Sequence, residues 1–298
     1  MTSIQSMIIQ YIKDNIPYPS GLIGCHAANG QKPYSCCEYD VAIFCDKGKA
    51  NPETVITFDK AAIEFIQFPM HIHEGHYVYL KDMVILKDND NFFLSSMLAR
   101  LKEKKHDRLL KIYARRQIVE SLFLYESIDK NLSKCPILSS FWLKISAFHY
   151  ISGILAIHGI KSSPSHELEQ IRSLDVNTPE TASGLHTALD CIGIERAGTS
   201  AISRSLTVFN EISNSNANLT IWSAKLKWML DQGRVADCYY YLGKISADYI
   251  LSKDEGFVDR FLKPIGILLD ISKDTQQIHK LHSLLVKSSK DALKSSVR

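Results

Sequence analysis

The chain has 298 residues, 45% hydrophobic and 22% charged, the proportions of a globular protein long enough for one large domain or two ordinary ones. With 35 Lys and Arg against 32 Asp and Glu, the formal charge is +3, too small to support a nucleic-acid coat or a polybasic membrane anchor. Its seven cysteines are odd in number, which argues against a disulfide-stapled scaffold and reads as free thiols in a reducing compartment.

Ile4, Met7, Ile8, Tyr11 and Ile12 recur at the three-and-four spacing of an amphipathic helix, with Thr2 or Ser3 as its cap and Pro17 just beyond its end. The opening MTSIQSMIIQYIKDN has no basic n-region and no long apolar run, so a signal peptide is not expected and a cytoplasmic location is. Strand-like runs follow: GLIGC, YDVAIFC, ETVITF, AAIEFIQF and YVYLKDMVIL, separated by turn-rich segments such as NGQKPYS and CDKGKANP. After Asp88-Asn89-Asp90-Asn91 the pattern becomes helical. Ser95 or Ser96 would cap a helix running towards Ile128, and a second helix is expected over residues 137–158. Ser165 would start a third, and Thr178-Pro179-Glu180 a fourth. Later helices are expected over 195–212, 219–232, 235–251 and from 256 to the basic C-terminus. The most apolar stretch, Phe141 to Ile160, is interrupted by Lys144, His149 and His158, which suits a buried bundle helix better than a membrane span. The expected fold is α+β: a mixed sheet with helices over residues 1–94, then an all-α bundle over 95–298, with a break between helical subdomains near 173–180.

One constellation carries chemistry. Glu38 and Asp40 are two apart at the start of the run VAIF, so on a strand both side chains leave the same face. Two adjacent carboxylates repel one another unless a cation lies between them, which makes the pair a natural Mg²⁺ site. Glu64 is flanked by Ile63 and Phe65 inside AIEFI, where a carboxylate is costly unless it is paired or binds metal.

The run LIGCHAANGQKPYSCCEYDVAIF, followed by AIEFI, resembles the signature of the DNA polymerase beta type nucleotidyltransferases: a strand ending at a glycine, a loop, an acidic-hydrophobic-acidic strand start, and a later strand bearing a third acid. The hairpin VITFDKAAIEFIQF, the strand MVILKDND and the helices FWLKISAFHYISGILAIHG and SPSHELEQIR are similar in order and texture to single-chain members such as the kanamycin nucleotidyltransferases and their bacterial and archaeal relatives. The resemblance covers roughly residues 1–172. It implies transfer of a nucleoside monophosphate from a nucleoside triphosphate to a hydroxyl acceptor, which is a small molecule, a protein or RNA. Glu38, Asp40 and Glu64 would be the catalytic and Mg²⁺-binding residues. Gly24 and Cys25 would contact the nucleotide through their backbone N–H groups, and Lys144, within an otherwise apolar helix, either snorkels outward or faces the nucleotide.

Several positions depart from that pattern. Cys25 stands where serine is usual, which removes a hydroxyl contact to phosphate. Ala28-Asn29-Gly30 lacks the usual arginine, and Cys37 precedes the first acid where serine is common. The alternative is a catalytically inactive member of the fold that binds nucleotide or a protein partner. Other signals have plain explanations beside functional ones. His71, His73, Glu74 and His76 could hold a metal but equally suit a polar loop. Cys25, Cys36, Cys37 and Cys45 lack paired C-x-x-C knuckles and suit packing in the sheet. The basic run KEKKHDRLLKIYARR suits a solvated helix face as well as a phosphate-rich ligand. His166 suits a helix-start packing role. Nucleic acid is not the favoured partner, no membrane is expected, and a homo-oligomer is left open.

Overall fold

A computed structural model of the chain describes residues 3–27, 33–46, 55–58, 61–72, 74–103, 106–176, 178–213 and 218–295. The loop Ala28-Asn29-Gly30, the Asp59-Lys60 turn, His73, Lys104, Lys105 and most of the SNSNAN stretch lie outside the described residues. The chain divides into two compact units. One comprises residues 1–109 with 216–225, and the other 110–215 with 226–298.

In the first unit, α1 (Ser3–Asn15) precedes β1 (Ser20–Ile23), a 3-10 turn (Gly24–His26), β2 (Tyr39–Phe44), β3 (Val55–Phe58) and β4 (Ala61–Phe68). Then come α2 (Glu74–Leu80), β5 (Val84–Lys87) and α3 (Phe93–Glu103). The strands form one mixed sheet in the order β3-β4-β2-β1-β5, with β2 and β4 parallel and the other pairs antiparallel. Strand alternation divides the core in two. On one face Val41, Ile43, Ile63 and Phe65 pack with Ile8 and Ile12 of α1 and with Ile16 just beyond it. On the other, Ile23, Ala42, Phe44 and Phe68 pack with Leu80, Met83 and Leu94. Because β2 is covered on both sides it reads as a continuous apolar run, VAIF, broken only where Asp40 enters it.

Two expectations need correcting in this unit. The segment YVYL is the end of α2 and not a strand; only Val84–Lys87 of that run joins the sheet. The helical half also does not begin at a serine cap. Asp88 accepts hydrogen bonds from the backbone N–H of Leu94 and Ser95, both at 2.9 Å, and Asn89 accepts one from Phe93 at 2.9 Å, so these two residues cap α3. Phe93, Met97, Leu98 and Leu101 of α3 pack on the sheet, which is why the first unit extends past residue 94 to 109.

The stretch expected as one helix to Ile128 holds α4 (His106–Phe123) and α5 (Tyr125–Leu132), which are parted at Leu124; the residues between α3 and α4 lie outside the described ones. The remaining helices are α6 (Pro136–Ile157), α7 (Glu167–Arg172), α8 (Pro179–Ile192), α9 (Thr199–Ile212), α10 (Leu219–Asp231), α11 (Val235–Leu251), α12 (Glu255–Leu268) and α13 (Thr275–Ser295). His166, not Ser165, stands at the N-cap position of α7, and its side chain makes no capping hydrogen bond there. Thr178 caps α8, accepting from Thr181 N–H at 3.3 Å, with Pro179 in the first turn. The C-terminal helix expected from residue 256 is two, parted between Leu268 and Thr275.

In the second unit α6 is the hub. It is long and apolar enough to cross a membrane, but 83% of that window is buried inside the protein, packed against α5, α8 and α13. A core helix accounts for it. Two groups of buried polar side chains here are paired with one another. Glu167, fully buried, accepts from Ser152 Oγ at 2.7 Å, from Tyr240 OH at 2.8 Å and from Lys244 Nζ, which lies 2.9 Å from Oε2. Ser121, Ser146, Ser289 and Tyr125 link α4, α6, α13 and α5 through hydroxyl contacts of 2.7–3.4 Å.

Candidate metal and nucleotide site

The acidic residues meet at one end of the sheet face that buries Ala42, Phe44 and Phe68. Asp40 on β2 pairs in register with Glu64 on the parallel β4, so the two carboxylates project side by side. Glu38 precedes β2 by one residue and, two positions from Asp40, shares its face. One carboxylate oxygen from each of the three lies within 4.8 Å of the other two. Residues separated by up to 26 positions thus form one cluster, as the hydrophobic-acidic patterning of the two strands implies.

Gly24 closes the site from the β1 side. β1 pairs with β2 so that Ile23 faces Asp40, and the next residue, Gly24, takes φ +72°. A Cβ at position 24 would lie 1.9 Å from Asp40 Oδ2. Both the left-handed backbone and the close approach therefore require glycine here. The turn is anchored by His26, whose ring stacks on Tyr39 at 3.9 Å and whose Nε2 lies 3.2 Å from the Cys37 carbonyl.

The electrostatics are strained. Burial, then the charge of Glu38, push the Asp40 carboxyl well above the usual carboxylate range, partly offset by Lys225. Glu64 is also raised, by burial and then by Glu38, while Lys225 and the Asn218 hydrogen bond oppose the shift. Cys25 thiol is raised by its contact with Cys37 and by burial, and Cys36 by its own contact with Cys37 and burial. Thiols shifted this way stay protonated and act as small packing groups rather than nucleophiles.

Two residues that the sequence reading passed over complete the site. Lys225 Nζ lies 2.7 Å from Glu38 Oε1 and 2.6 Å from Oε2, with both residues buried. Asn218 Nδ2 donates to Glu64 Oε1 at 3.0 Å. They flank the first two turns of α10 and stand 187 and 154 residues from their partners. One signal was available: Ile221, Lys225 and Met229 are spaced by four, so a lysine occupies the buried stripe of an amphipathic helix. Lys144 is elsewhere. It is buried in α6 of the second unit and donates to the Leu269 carbonyl. Burial, with Arg196 adding to it, pushes its ammonium down to about 7. The HIHEGHY group falls partly outside the described residues.

The clustered donors, three carboxylates, suit a hard divalent cation. Comparison with protein-family models, curated proteins and solved structures finds no match to this chain.

Proposed function

We propose that the protein is a cytoplasmic, Mg²⁺-dependent nucleotidyltransferase that moves a nucleoside monophosphate from a nucleoside triphosphate to a hydroxyl acceptor. The observation that carries this reading is the convergence of Glu38, Asp40 and Glu64 against the Gly24 turn. Glu38 and Asp40 would hold the ion, with Glu64 beside them. When bound, Mg²⁺ supplies Lewis-acid stabilisation of the oxygens around the reacting phosphorus. Glu64, beside the ion, could also take the acceptor's proton at hydrogen-bond distance. The backbone N–H groups of the Gly24–Cys25 turn would contact the triphosphate, the space of the missing Gly24 side chain being taken by Asp40 Oδ2.

The test is incubation with labelled ATP, CTP, GTP or UTP, Mg²⁺ and a panel of hydroxyl acceptors, following pyrophosphate release and label transfer. Asp40→Asn is expected to reduce either signal by about a hundredfold or more, the scale of several kcal/mol of charge stabilisation. Undiminished turnover in that variant would remove Asp40 from the mechanism.

A second reading rests on Lys225. An acid cluster already partly neutralised by a lysine of its own chain also fits a non-catalytic relative of the fold that binds nucleotide or a partner. Calorimetry separates the two: nucleotide binding that requires both Mg²⁺ and Glu38 supports the enzyme, and metal-independent binding supports the relative.

A further inference from the structure

Lys225 occupies the place a cation would take. Its ammonium touches both oxygens of Glu38, at 2.7 and 2.6 Å, and Glu38 is the acid that would share an ion with Asp40. Mg²⁺ binds carboxylate oxygens at about 2.0–2.1 Å and demands near-octahedral geometry. The ammonium donates to Oε1, while Oε2, close beside it, has no hydrogen-bond partner; a dication taking Glu38 as a ligand would lie a few ångströms from this buried ammonium and be strongly repelled. The lysine and the ion therefore compete for Glu38. The contact is not a loose surface pair: Lys225 is 6% and Glu38 8% exposed. The same segment also engages the third acid, through Asn218 on Glu64 at 3.0 Å, so residues 218–225 cover two of the three carboxylates.

We infer that Lys225 is a tethered counter-ion that holds Glu38 until a divalent cation displaces it, so that this lysine sets the ion concentration at which the acid cluster fills. The inference rests on the metal-site reading above and deepens it. Removing the ammonium strips the competitor while leaving all three ligands in place. By reciprocity, whatever the ion loses in expelling Lys225 from Glu38 is recovered when Lys225 is absent. A pair whose only task was to fasten the segment around Lys225 to the first unit would still repel an ion but would stay on Glu38 when the ion binds, so the exposure of Lys225 would ignore the ion.

The experiment uses the full chain and Mn²⁺ alone, with bound and free ion measured by electron paramagnetic resonance. Lys225→Met and Lys225→Gln are expected to bind Mn²⁺ about tenfold tighter than wild type, within the usual range for coupled sites. Lys225→Arg, which keeps the charge, is expected to stay near wild type, and Glu38→Gln to weaken binding. Thermal melts report whether each variant folds. A measurement on the unaltered chain stands beside these: Mn²⁺ is expected to raise acetylation of Lys225 by an amine-reactive ester, read by peptide mass spectrometry, as the ammonium leaves Glu38. Wild-type and Lys225→Gln chains that bind Mn²⁺ equally, or labelling of Lys225 that ignores the ion, would overturn the counter-ion role while leaving the metal site standing. Absence of Mn²⁺ binding in every chain, Lys225→Gln included, would overturn both.

Discussion

Asp40 shows how much a single side chain can ask of its neighbours. It is a carboxylate placed between apolar positions on the most covered strand of the sheet, and its position is bought by Gly24, whose absent side chain makes room for Oδ2. Gly24→Ala is expected to destabilise the protein by about 1–3 kcal/mol in urea melts, because it combines a left-handed backbone with a contact no real Cβ makes. Gly159 also has positive φ, +80°, but its added Cβ would meet nothing within 4 Å. Gly159→Ala therefore serves as the control, carrying only the backbone cost. Glu167 is a second residue of this kind in the other unit. Burial raises its carboxyl, but Lys244 and the hydroxyls around it more than compensate, leaving it below the ordinary value. A depressed carboxyl contributes stability above its unfolded pKa and loses it as pH falls through the folded one. The melting temperature is expected to drop on acidification below the usual carboxylate range, and to drop less in Glu167→Gln. Lys244→Met, which strands the buried carboxylate, is expected to cost about 3–5 kcal/mol at neutral pH.

Among the elements, those with a strong local signal were legible in the sequence. VAIF and AIEFIQF read as strands because a covered strand is continuously apolar, and α11 reads cleanly from Val235 to Leu251 because its period is regular. The acids on those strands were legible for the same reason, since alternation alone puts Glu38 beside Asp40. YVYL misleads because tyrosine and valine favour strands, yet the segment forms the last turns of α2, where Val78 and Leu80 are buried; tertiary burial overrides propensity there. The division of α4 from α5 at Leu124 was hidden because an apolar period can continue across a break that no glycine or proline marks. Asn218 and Lys225 were out of reach for a different reason: nothing in the local pattern of α10 names a partner more than 150 residues away. The cap of α8 offers a test at this scale. Thr178→Ala removes the side-chain acceptor for Thr181 N–H and is expected to lower stability by about 1 kcal/mol in chemical denaturation.

For the molecule as a whole, the first unit is not a contiguous stretch of chain. Residues 216–225 return to it after more than a hundred residues spent in the other unit, and they bring the only described lysine in contact with Glu38. A fragment ending at residue 109 lacks Lys225 and Asn218 and leaves Glu38 buried without its counter-charge. It is expected to melt well below the full chain by circular dichroism, and addition of Mn²⁺ is expected to recover part of the loss, since a ligand that binds only the folded state stabilises it. A fragment as stable as the full chain would show that the returning segment contributes nothing to the fold of this unit.

The fit of Gly24 to Asp40 also ties two positions together in descent. A chain that keeps the acid can carry no side chain at 24, whereas a lineage in which position 40 has shrunk to alanine or serine is relieved of the collision and keeps only the milder demand of the positive φ, which asparagine meets. Substitution at 24 should thus follow loss of the carboxylate at 40 and not precede it, so that among diverged copies the residue after β1 records whether the acid cluster has been abandoned.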